Sequence, residues 1–227
     1  TNKKIAIVSS GAIALGKNLI SNHKPIKRLE DKQAAAAIGQ IELAKHWQQS
    51  LKKYKINSAQ ILLTLNDSEE RRRYLNARKT ITTLLNKKVI PIINENDTVA
   101  TEEIRYGDND RLAARVAQMI GADLLVMLSD IDGLYTANPY FSKQAKRVSN
   151  IKMIDELIEK MAGKNQSVFG SGGMQTKIWA AKICLNSGCS TVITNGQEFN
   201  PLKAINKNNS SWFISSGSPN MARKQWL

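Results

Sequence analysis

Short runs of β-branched residues alternate along this sequence with longer stretches of helical periodicity, and this alternation constrains the fold more than any other feature. The predicted strands are Ile5–Val8, Ser58–Thr64, Lys88–Ile93, Asp123–Leu128 and Cys189–Thr194. The predicted helices are Asp31–Tyr54, Ser68–Asn86, Asp110–Ile120, Ser149–Ala162 and Met174–Asn186. Strands separated by helices usually pair in parallel, with the helices packed on the faces of the sheet. The sequence therefore predicts an α/β fold with a mostly parallel sheet.

The 227 residues also predict a single domain, because no repeat, low-complexity segment or linker divides them. A chain of this length can bury a substantial hydrophobic core. Its composition, 42% hydrophobic and 23% charged, excludes a disordered or fibrous protein.

A net charge of +14 at pH 7 raises the question of a polyanionic partner. However, residues 61–140 contain 12 of the 19 acidic residues, so the positive excess lies in the two flanks. Aromatic residues amount to 6% and do not alternate with basic residues as they do on RNA-binding surfaces. A basic RNA-binding module is thus the less favoured alternative, and we predict no nucleic-acid partner. We also predict no membrane partner, because no apolar run approaches the roughly 20 residues that span a bilayer.

Cysteine and histidine are scarce, which limits metal and general-base chemistry. Cys184 and Cys189 lack the second pair of ligands that a zinc site needs, and we expect buried thiols in a reducing compartment. His23 and His46 lie in polar segments and are predicted to be exposed. We assign no residue as a metal ligand. The chemistry must therefore rely on carboxylates, lysines and backbone groups.

A glycine loop, Gly170–Gly173, precedes the predicted helix Met174–Asn186. Glycines let backbone N–H groups approach phosphate oxygens, and the N-terminus of the following helix favours negative charge. Lys177 lies in the first turn of that helix, where it can neutralise charge on a transferring phosphoryl group. The residue order matches neither a P-loop nor the dinucleotide-binding fingerprint. The loop predicts a phosphate site, with a flexible surface loop as the alternative.

Acidic, amide and hydroxyl side chains cluster beside the predicted strands and one helix start, in the segments Ser9–Ala12, Asn94–Asp97, Gly107–Asp110 and Ser129–Gly133. In open α/β sheets, ligands bind at the carboxyl ends of the strands, so we expect these segments to converge at one edge. Asn and Asp also serve as helix caps and turn residues, which is the alternative reading. Clustered carboxylates repel one another unless a cation or an amine compensates them, and they suit Mg²⁺.

Together these features predict phosphoryl transfer by positioning and charge neutralisation. The phosphates would bind the glycine loop and Lys177, Mg²⁺ would lie near the carboxylates, and the acceptor would contact the acidic segments. A carboxylate acceptor is already a nucleophile at neutral pH. It would need no general base, which agrees with the scarcity of histidine.

Segments spread in order along nearly the whole chain resemble those of the glutamate 5-kinases, in the amino-acid kinase family: IVSSGAIALG, LNAR, PIINENDTVA, YGDNDRLAA, SDIDGLYTANP, GSGGMQTK and ARKQW. The resemblance implies a three-layer αβα sandwich around a mostly parallel central sheet. It implies ATP-dependent phosphorylation of the γ-carboxylate of L-glutamate, the first step of proline biosynthesis, with Mg²⁺. It further implies a cytoplasmic homo-oligomer, a dimer or tetramer, that proline inhibits by feedback.

The resemblance also assigns roles to individual residues. The implied glutamate-binding positions are Ser10, Gly11, Asp97 and Asn109. Lys177 would be the lysine that stabilises the transition state, and Asp110 and Asp108 would organise the catalytic lysines. The implied ATP-binding positions are Ser129, Asp130, Ser171, Gly172, Gly173, Met174, Gln175, Thr176 and Lys177. The family often has Thr where this chain has Ser129.

Two features of the family have no counterpart in this sequence. The family opens with a strand bearing a Lys-x-Gly-Ser/Thr motif and a helix, so we expect an amino-acid kinase domain over residues 1–227 that is incomplete at its N-terminus. Many members also carry a C-terminal PUA domain. Acetylglutamate, carbamate, uridylate and aspartate kinases are the alternatives within the superfamily, and the pairing of NEND with GDND favours free glutamate over them.

Overall fold

The computed structural model describes residues 3–21, 26, 28–99, 109–163, 173–206 and 209–217. The chain forms two compact units, residues 1–104 and residues 105–227. Each unit has a sheet of its own with helices packed against it.

Within its described residues, the first unit has a three-stranded parallel sheet in the order β1-β3-β2. Its strands are β1 Ile7–Val8, β2 Ser58–Leu63 and β3 Ile90–Glu95. Its helices are α1 Ala12–Ser21, α2 Leu29–Lys52, α3 Leu65–Glu69 and α4 Arg71–Asn86. Ile92 and Ile93 of the central strand β3 are buried, as the apolar character of this run requires.

Helices α1 and α2 touch backbone to backbone at two glycines. A Cβ atom on Gly16 would overlap the carbonyl oxygen of Ala35, and one on Gly39 would overlap the carbonyl oxygen of Ala12. Ala12 and Ala35 are themselves buried, and their small side chains permit this close contact. The close approach fixes α1, and with it the turn that connects α1 to β1.

The described residues of the second unit form a four-stranded sheet in the order β4-β6-β7-β5. Its strands are β4 Leu124–Ser129, β5 Asn150–Ile151, β6 Ser190–Asn195 and β7 Ser210–Phe213. Its helices are α5 Asn109–Ile120, α6 Glu156–Gly163, α7 Met174–Asn186 and α8 Pro201–Asn206. The pairs β4–β6 and β5–β7 are parallel, and β6–β7 is antiparallel. The sheet is therefore mixed, with parallel pairs on both sides of one antiparallel pair.

The core of the second unit confirms that the two cysteines are buried thiols. Cys184 and Cys189 are free and buried beside Phe213 and Ile193. A hydrogen bond to the Cys184 sulfur, together with burial, raises the pKa of the Cys189 thiol, so that it stays protonated. His46 is exposed, as predicted, and His23 lies outside the described residues.

The connections on the N-terminal side of β4 and β6 orient two helices. Three residues separate α5 from β4, and three separate α7 from β6. Connections this short force each helix to run antiparallel to the strand that follows it. The N-termini of α5 and α7 therefore lie at the carboxyl edge of the strands, where parallel α/β sheets bind ligands.

The helix predicted over Ser68–Asn86 is wrong at its N-terminal end. The structure has two helices there, α3 and α4, separated by Glu70 in an extended conformation. A capping box starts α3, because the Thr64 side chain accepts from the Asp67 N–H and the Asp67 carboxylate accepts from the Thr64 N–H. The helical periodicity of residues 68–86 does not indicate this break at Glu70.

The prediction of a helix over Ser149–Ala162 is wrong for its first residues. Asn150 and Ile151 form β5, which pairs with β7, and the helix begins only at Glu156. Helices α1 and α8 and strand β7 were not predicted. Short elements such as β5 and β7 depend on partners distant in sequence, which local pattern does not reveal.

Candidate active site

In the first unit, Ser10 and Gly11 follow β1, and Asp97 follows β3, the strand that pairs with β1. Gly11 has a φ of +111°, a conformation that glycine adopts without a steric penalty. Its carbonyl oxygen accepts a hydrogen bond from the N–H of Leu15 at 3.0 Å, which starts α1. Ser10 and Gly11 are both exposed, so their hydroxyl and backbone groups are accessible to a ligand.

Asp97 is half-buried in a turn at the end of β3. Burial raises the pKa of its carboxyl group above the usual range, because the charged form loses hydration. The turn is held by the Asn96 N–H, which donates to the Leu63 carbonyl at 2.8 Å, and by the Thr98 hydroxyl, which donates to Asn96 Oδ1 at 2.6 Å. A partly desolvated carboxylate on an ordered turn is suited to bind a cationic group.

Another polar residue of the NEND segment has a structural partner. Asn94 is 3% exposed, and its Nδ2 donates to Gln40 Oε1 on α2 at 2.7 Å. This bond satisfies two buried side chains and ties β3 to α2. No sequence motif marks Gln40, which is the polar residue among the otherwise apolar buried residues described on α2.

A second unpredicted contact supports the turn after β1. The indole Nε1 of Trp47 on α2 donates to the Ser9 hydroxyl at 2.9 Å. Ser9 directly precedes Ser10, and its own N–H donates to the Ile93 carbonyl at 2.9 Å. No local sequence signal connects Trp47 to this turn, because 38 residues separate the two.

In the second unit, the N-termini of α5 and α7 bring three polar side chains together. Lys177 Nζ donates to Asp110 Oδ2 at 3.0 Å. The Thr176 hydroxyl lies 2.7 Å from the same carboxylate oxygen and 2.8 Å from the Gly173 carbonyl oxygen, and its single proton serves one of them at a time. The structure thus joins Asp110, Thr176 and Lys177, all predicted site residues.

This cluster is largely removed from solvent. The side chain of Lys177 is 11% exposed and that of Asp110 is 19% exposed. An ion pair at this depth is attracted more strongly than one on the surface, but it also loses more hydration. The ion pair therefore fixes the position of the lysine ammonium group. A lysine on the surface, in contrast, would sample many rotamers.

Ser129 and Asp130 lie at the carboxyl end of β4, as predicted. The Ser129 hydroxyl donates to Asp130 Oδ1 at 3.0 Å, and the Ser129 carbonyl accepts from the Gly196 N–H at 2.7 Å. These bonds order the end of β4 against the end of β6. Both residues are half-buried, at the edge where the helix N-termini also lie.

The other predicted site residues differ in their exposure and in their structural roles. Gly173 is the N-cap of α7, with φ −69° and ψ 178°, and Gln175 is exposed. Met174 is 5% exposed and belongs to the hydrophobic core, so its side chain contributes packing. Asn109 is the first residue of α5. Predicted positions outside the described residues are Asp108, Ser171 and Gly172.

Among the described residues, no group of three or more His, Cys, Asp or Glu side chains is arranged to hold a metal ion. None of the helices in the described ranges has the length and apolarity to cross a membrane.

Comparison with known proteins places the chain in a family. Residues 1–195 match the model of the amino acid kinase family. The chain belongs to the amino acid kinase family. The family membership inferred from the motifs is thereby confirmed.

Curated members of the family are similar over nearly the whole chain. The glutamate 5-kinase of Agrobacterium fabrum is 59% identical over 224 residues, which cover 98% of this chain and 58% of that protein. The glutamate 5-kinase of Paramagnetospirillum magneticum is 54% identical over 226 residues, which cover 99% of this chain and 61% of that protein. The resemblance to glutamate 5-kinases is confirmed. The chain spans about three fifths of the length of the curated relatives it matches.

Solved structures of two other kinases share the fold at low identity. A carbamate kinase from Giardia lamblia bound to AMP-PNP has a TM-score of 0.64 and 15% identity, covering 94% of this chain and 85% of its own. An isopentenyl phosphate kinase has a TM-score of 0.56 and 15% identity, covering 93% of this chain and 84% of its own. These similarities confirm the predicted α/β fold class of the amino-acid kinases.

Proposed function

We propose that this chain belongs to an enzyme that transfers the γ-phosphoryl group of ATP to the γ-carboxylate of L-glutamate, forming L-glutamyl 5-phosphate in the first step of proline biosynthesis. The observation that carries the proposal is the buried ion pair between Lys177 and Asp110 at the start of α7. The pair joins the GSGGMQTK segment to the YGDNDRLAA segment, within a chain that is 54–59% identical to curated glutamate 5-kinases.

The reaction requires no base from the protein. A γ-carboxylate oxygen forms a bond to the γ-phosphorus of ATP, while the bond from that phosphorus to the bridging oxygen breaks and ADP leaves. Glutamate is already ionised at neutral pH, so no proton has to be removed. The task of the protein is to align the two anions and to offset their charge.

Lys177 supplies that charge in the proposed mechanism. Its ammonium group would contact the oxygens of the transferring phosphoryl group, where negative charge is redistributed in the transition state. Asp110 holds the ammonium group at 3.0 Å, and the fixed donor therefore needs little reorganisation during the reaction. The N-terminus of α7 adds a favourable potential for phosphate.

The remaining residues would bind the two substrates. In our proposal ATP contacts Ser129, Asp130 and the segment from Ser171 to Lys177. Glutamate contacts Ser10, Gly11, Asp97 and Asn109. The half-buried carboxylate of Asp97 would pair with the glutamate ammonium group, because a cation offsets the loss of hydration that raises its pKa.

We propose that Mg²⁺ takes part as a complex with the ATP phosphates. Mg²⁺ keeps several of its waters and usually binds through substrate phosphates with one or two carboxylates, so a dedicated protein cage is not required. Asp110 and Asp108 are proposed to organise the catalytic lysines.

We further propose that residues 1–227 are part of one amino-acid kinase domain, in a cytoplasmic homo-oligomer, a dimer or tetramer, that proline inhibits. These proposals follow from the relation to glutamate 5-kinases.

The function is tested by trapping the product with hydroxylamine. Full-length protein is incubated with ATP, Mg²⁺ and one acceptor, and the acyl phosphate is converted to a coloured hydroxamate. We expect hydroxamate with L-glutamate and much less with L-aspartate or N-acetylglutamate; ADP release with carbamate or UMP should stay at background. The variant Lys177→Ala serves as the blank for contaminating kinases.

Equal or faster turnover of another acceptor would overturn the assignment of glutamate. Tight, sequence-dependent RNA binding at low salt, without ATP binding, would instead support the RNA-binding alternative.

A further inference from the structure

Trp179 on α7, two residues after Lys177, lies near the guanidinium groups of two arginines on α5. The Arg111 guanidinium carbon lies 4.2 Å from the centre of its ring, and that of Arg115 lies 5.8 Å from it. Both distances are within the range of cation–π attraction, about 6 Å. Arg111 and Arg115 are four residues apart and share one face of α5.

The stack continues the contacts of the candidate site along the same two helices. Thr176 and Trp179 are three residues apart on α7 and therefore lie on one face, toward α5. Thr176 contacts Asp110, and Trp179 contacts the next residue of α5, Arg111. The catalytic pair and the stack thus depend on the same register between the helices.

On α5, the side chains that enter the core cluster are small. They are Ala114 and Ala117, whereas α7 contributes Met174, Ile178, Ala180, Ala181 and Cys184 to the same cluster. Methyl side chains form shallow ridges, which resist sliding or rotation of a helix less than large side chains do. The contact of the Trp179 ring with two cations on α5 adds a further restriction on such motion.

We propose that Trp179 is a positioning residue: clamped by Arg111 and Arg115, it fixes the register of α5 against α7 and so holds Asp110 at the ammonium group of Lys177. Its effect on turnover rests on the proposed kinase function. Its effect on geometry does not, because the environment of Lys177 is measurable without substrates.

The test compares Trp179→Leu, Trp179→Phe and the matched control Trp212→Leu in the full-length protein. Trp212 is a half-buried indole of the same unit, on β7. Its neighbour Phe213 belongs to the core cluster with α5 and α7, so Trp212 lies on the opposite face of the sheet. One readout is kcat together with the KM values for ATP and glutamate. The second readout is the rate at which an amine-reactive ester labels Lys177 in the free protein, measured by mass spectrometry.

For Trp179→Leu we expect kcat to fall about tenfold with both KM values changed less than about twofold, since misalignment affects the transferring group more than substrate binding. Labelling of Lys177 should become about tenfold faster as its partner is lost. Trp179→Phe, which keeps an aromatic face, should retain most of kcat, and Trp212→Leu should leave both readouts unchanged.

The proposal is overturned if Trp179→Leu has the kcat and the Lys177 labelling rate of the parent protein. It is also overturned if Trp212→Leu changes kcat and labelling as much as Trp179→Leu does. If neither the parent protein nor any variant phosphorylates glutamate, the proposed function is wrong. The rate of Lys177 labelling then decides by itself whether Trp179 positions Asp110. If Trp179→Leu does not fold, Arg111→Met decides in the same way, because it removes the nearer cation and leaves the indole in place.

Discussion

At the scale of single residues, Lys177 is a largely buried side chain whose charged group is held in a fixed position. Its side chain is 11% exposed and its ammonium group lies 3.0 Å from Asp110. The sequence predicted its role from its place one turn after a glycine loop. The partnership of Thr176 with Asp110 was not predictable, because it joins residues 66 positions apart.

Replacing Lys177 by Ala should lower kcat about a hundredfold or more, roughly 3 kcal/mol, because a fixed cation at the transferring phosphoryl group is lost. Steady-state kinetics and urea unfolding of the full-length protein measure this. The control is Lys182→Ala on the same helix, whose exposed amine pairs with Glu159 at 2.7 Å. A Lys177→Ala protein that is folded and turns over normally would refute the assigned role.

We expect the charged carboxylate of Asp97 to contribute to ligand binding and not to the stability of the folded state. Its folded-state pKa is raised by burial, so its contribution to stability is present at low pH and is lost as the pH rises through that pKa. Asp97→Asn should therefore unfold at an equal or higher urea concentration at neutral pH, while the KM for glutamate rises at least about tenfold through loss of the ammonium contact. Calorimetric titration with glutamate checks the second point.

The same residue predicts a pH dependence. As the pH falls toward the raised pKa of Asp97, protonation should weaken glutamate binding in the parent protein, and the KM should rise. The KM of Asp97→Asn should stay flat over that range. Parallel pH profiles in the two proteins would show that Asp97 does not bind the ammonium group.

At the scale of elements, the contact between α1 and α2 leaves no room for a side chain at its two glycines. Gly39→Ala places a Cβ atom on the carbonyl oxygen of Ala12, so the helices must separate. We expect a loss of about 2 kcal/mol in unfolding free energy. Gly163→Ala is the control, because its new Cβ atom meets no atom within 4 Å. Equal stability of the two variants, measured by urea denaturation, would contradict this packing.

Elements with strong local signals were predictable, and those that depend on distant partners were not. Helix α7 has exactly the predicted bounds, Met174–Asn186, because a glycine N-cap starts it and a turn follows it. Strand β7 is four residues long and is stabilised by pairing with β6 and β5. The backbone contact of Gly16 and Gly39 likewise leaves no periodic trace in the sequence.

At the scale of the whole molecule, the charge of +14 lies mainly outside residues 61–140, where 12 of the 19 acidic residues occur. Several of those acids have structural partners: Asp67 is paired with Arg73, and Asp132 with Arg147. Asp97 and Asp110 are the acids that the proposed chemistry uses. The basic excess creates a long-range field that would attract the proposed anionic substrates, ATP and glutamate.

The most direct test of the central claim follows the oxygen atom that forms the new bond. Full-length protein is given ATP and L-glutamate with oxygen-18 in its γ-carboxylate, and hydroxylamine then cleaves the acyl phosphate at carbon. The account predicts inorganic phosphate that carries one oxygen-18 atom, because the carboxylate oxygen attacked the γ-phosphorus. Phosphate without oxygen-18, released at the same rate as ADP, would contradict phosphoryl transfer to the carboxylate.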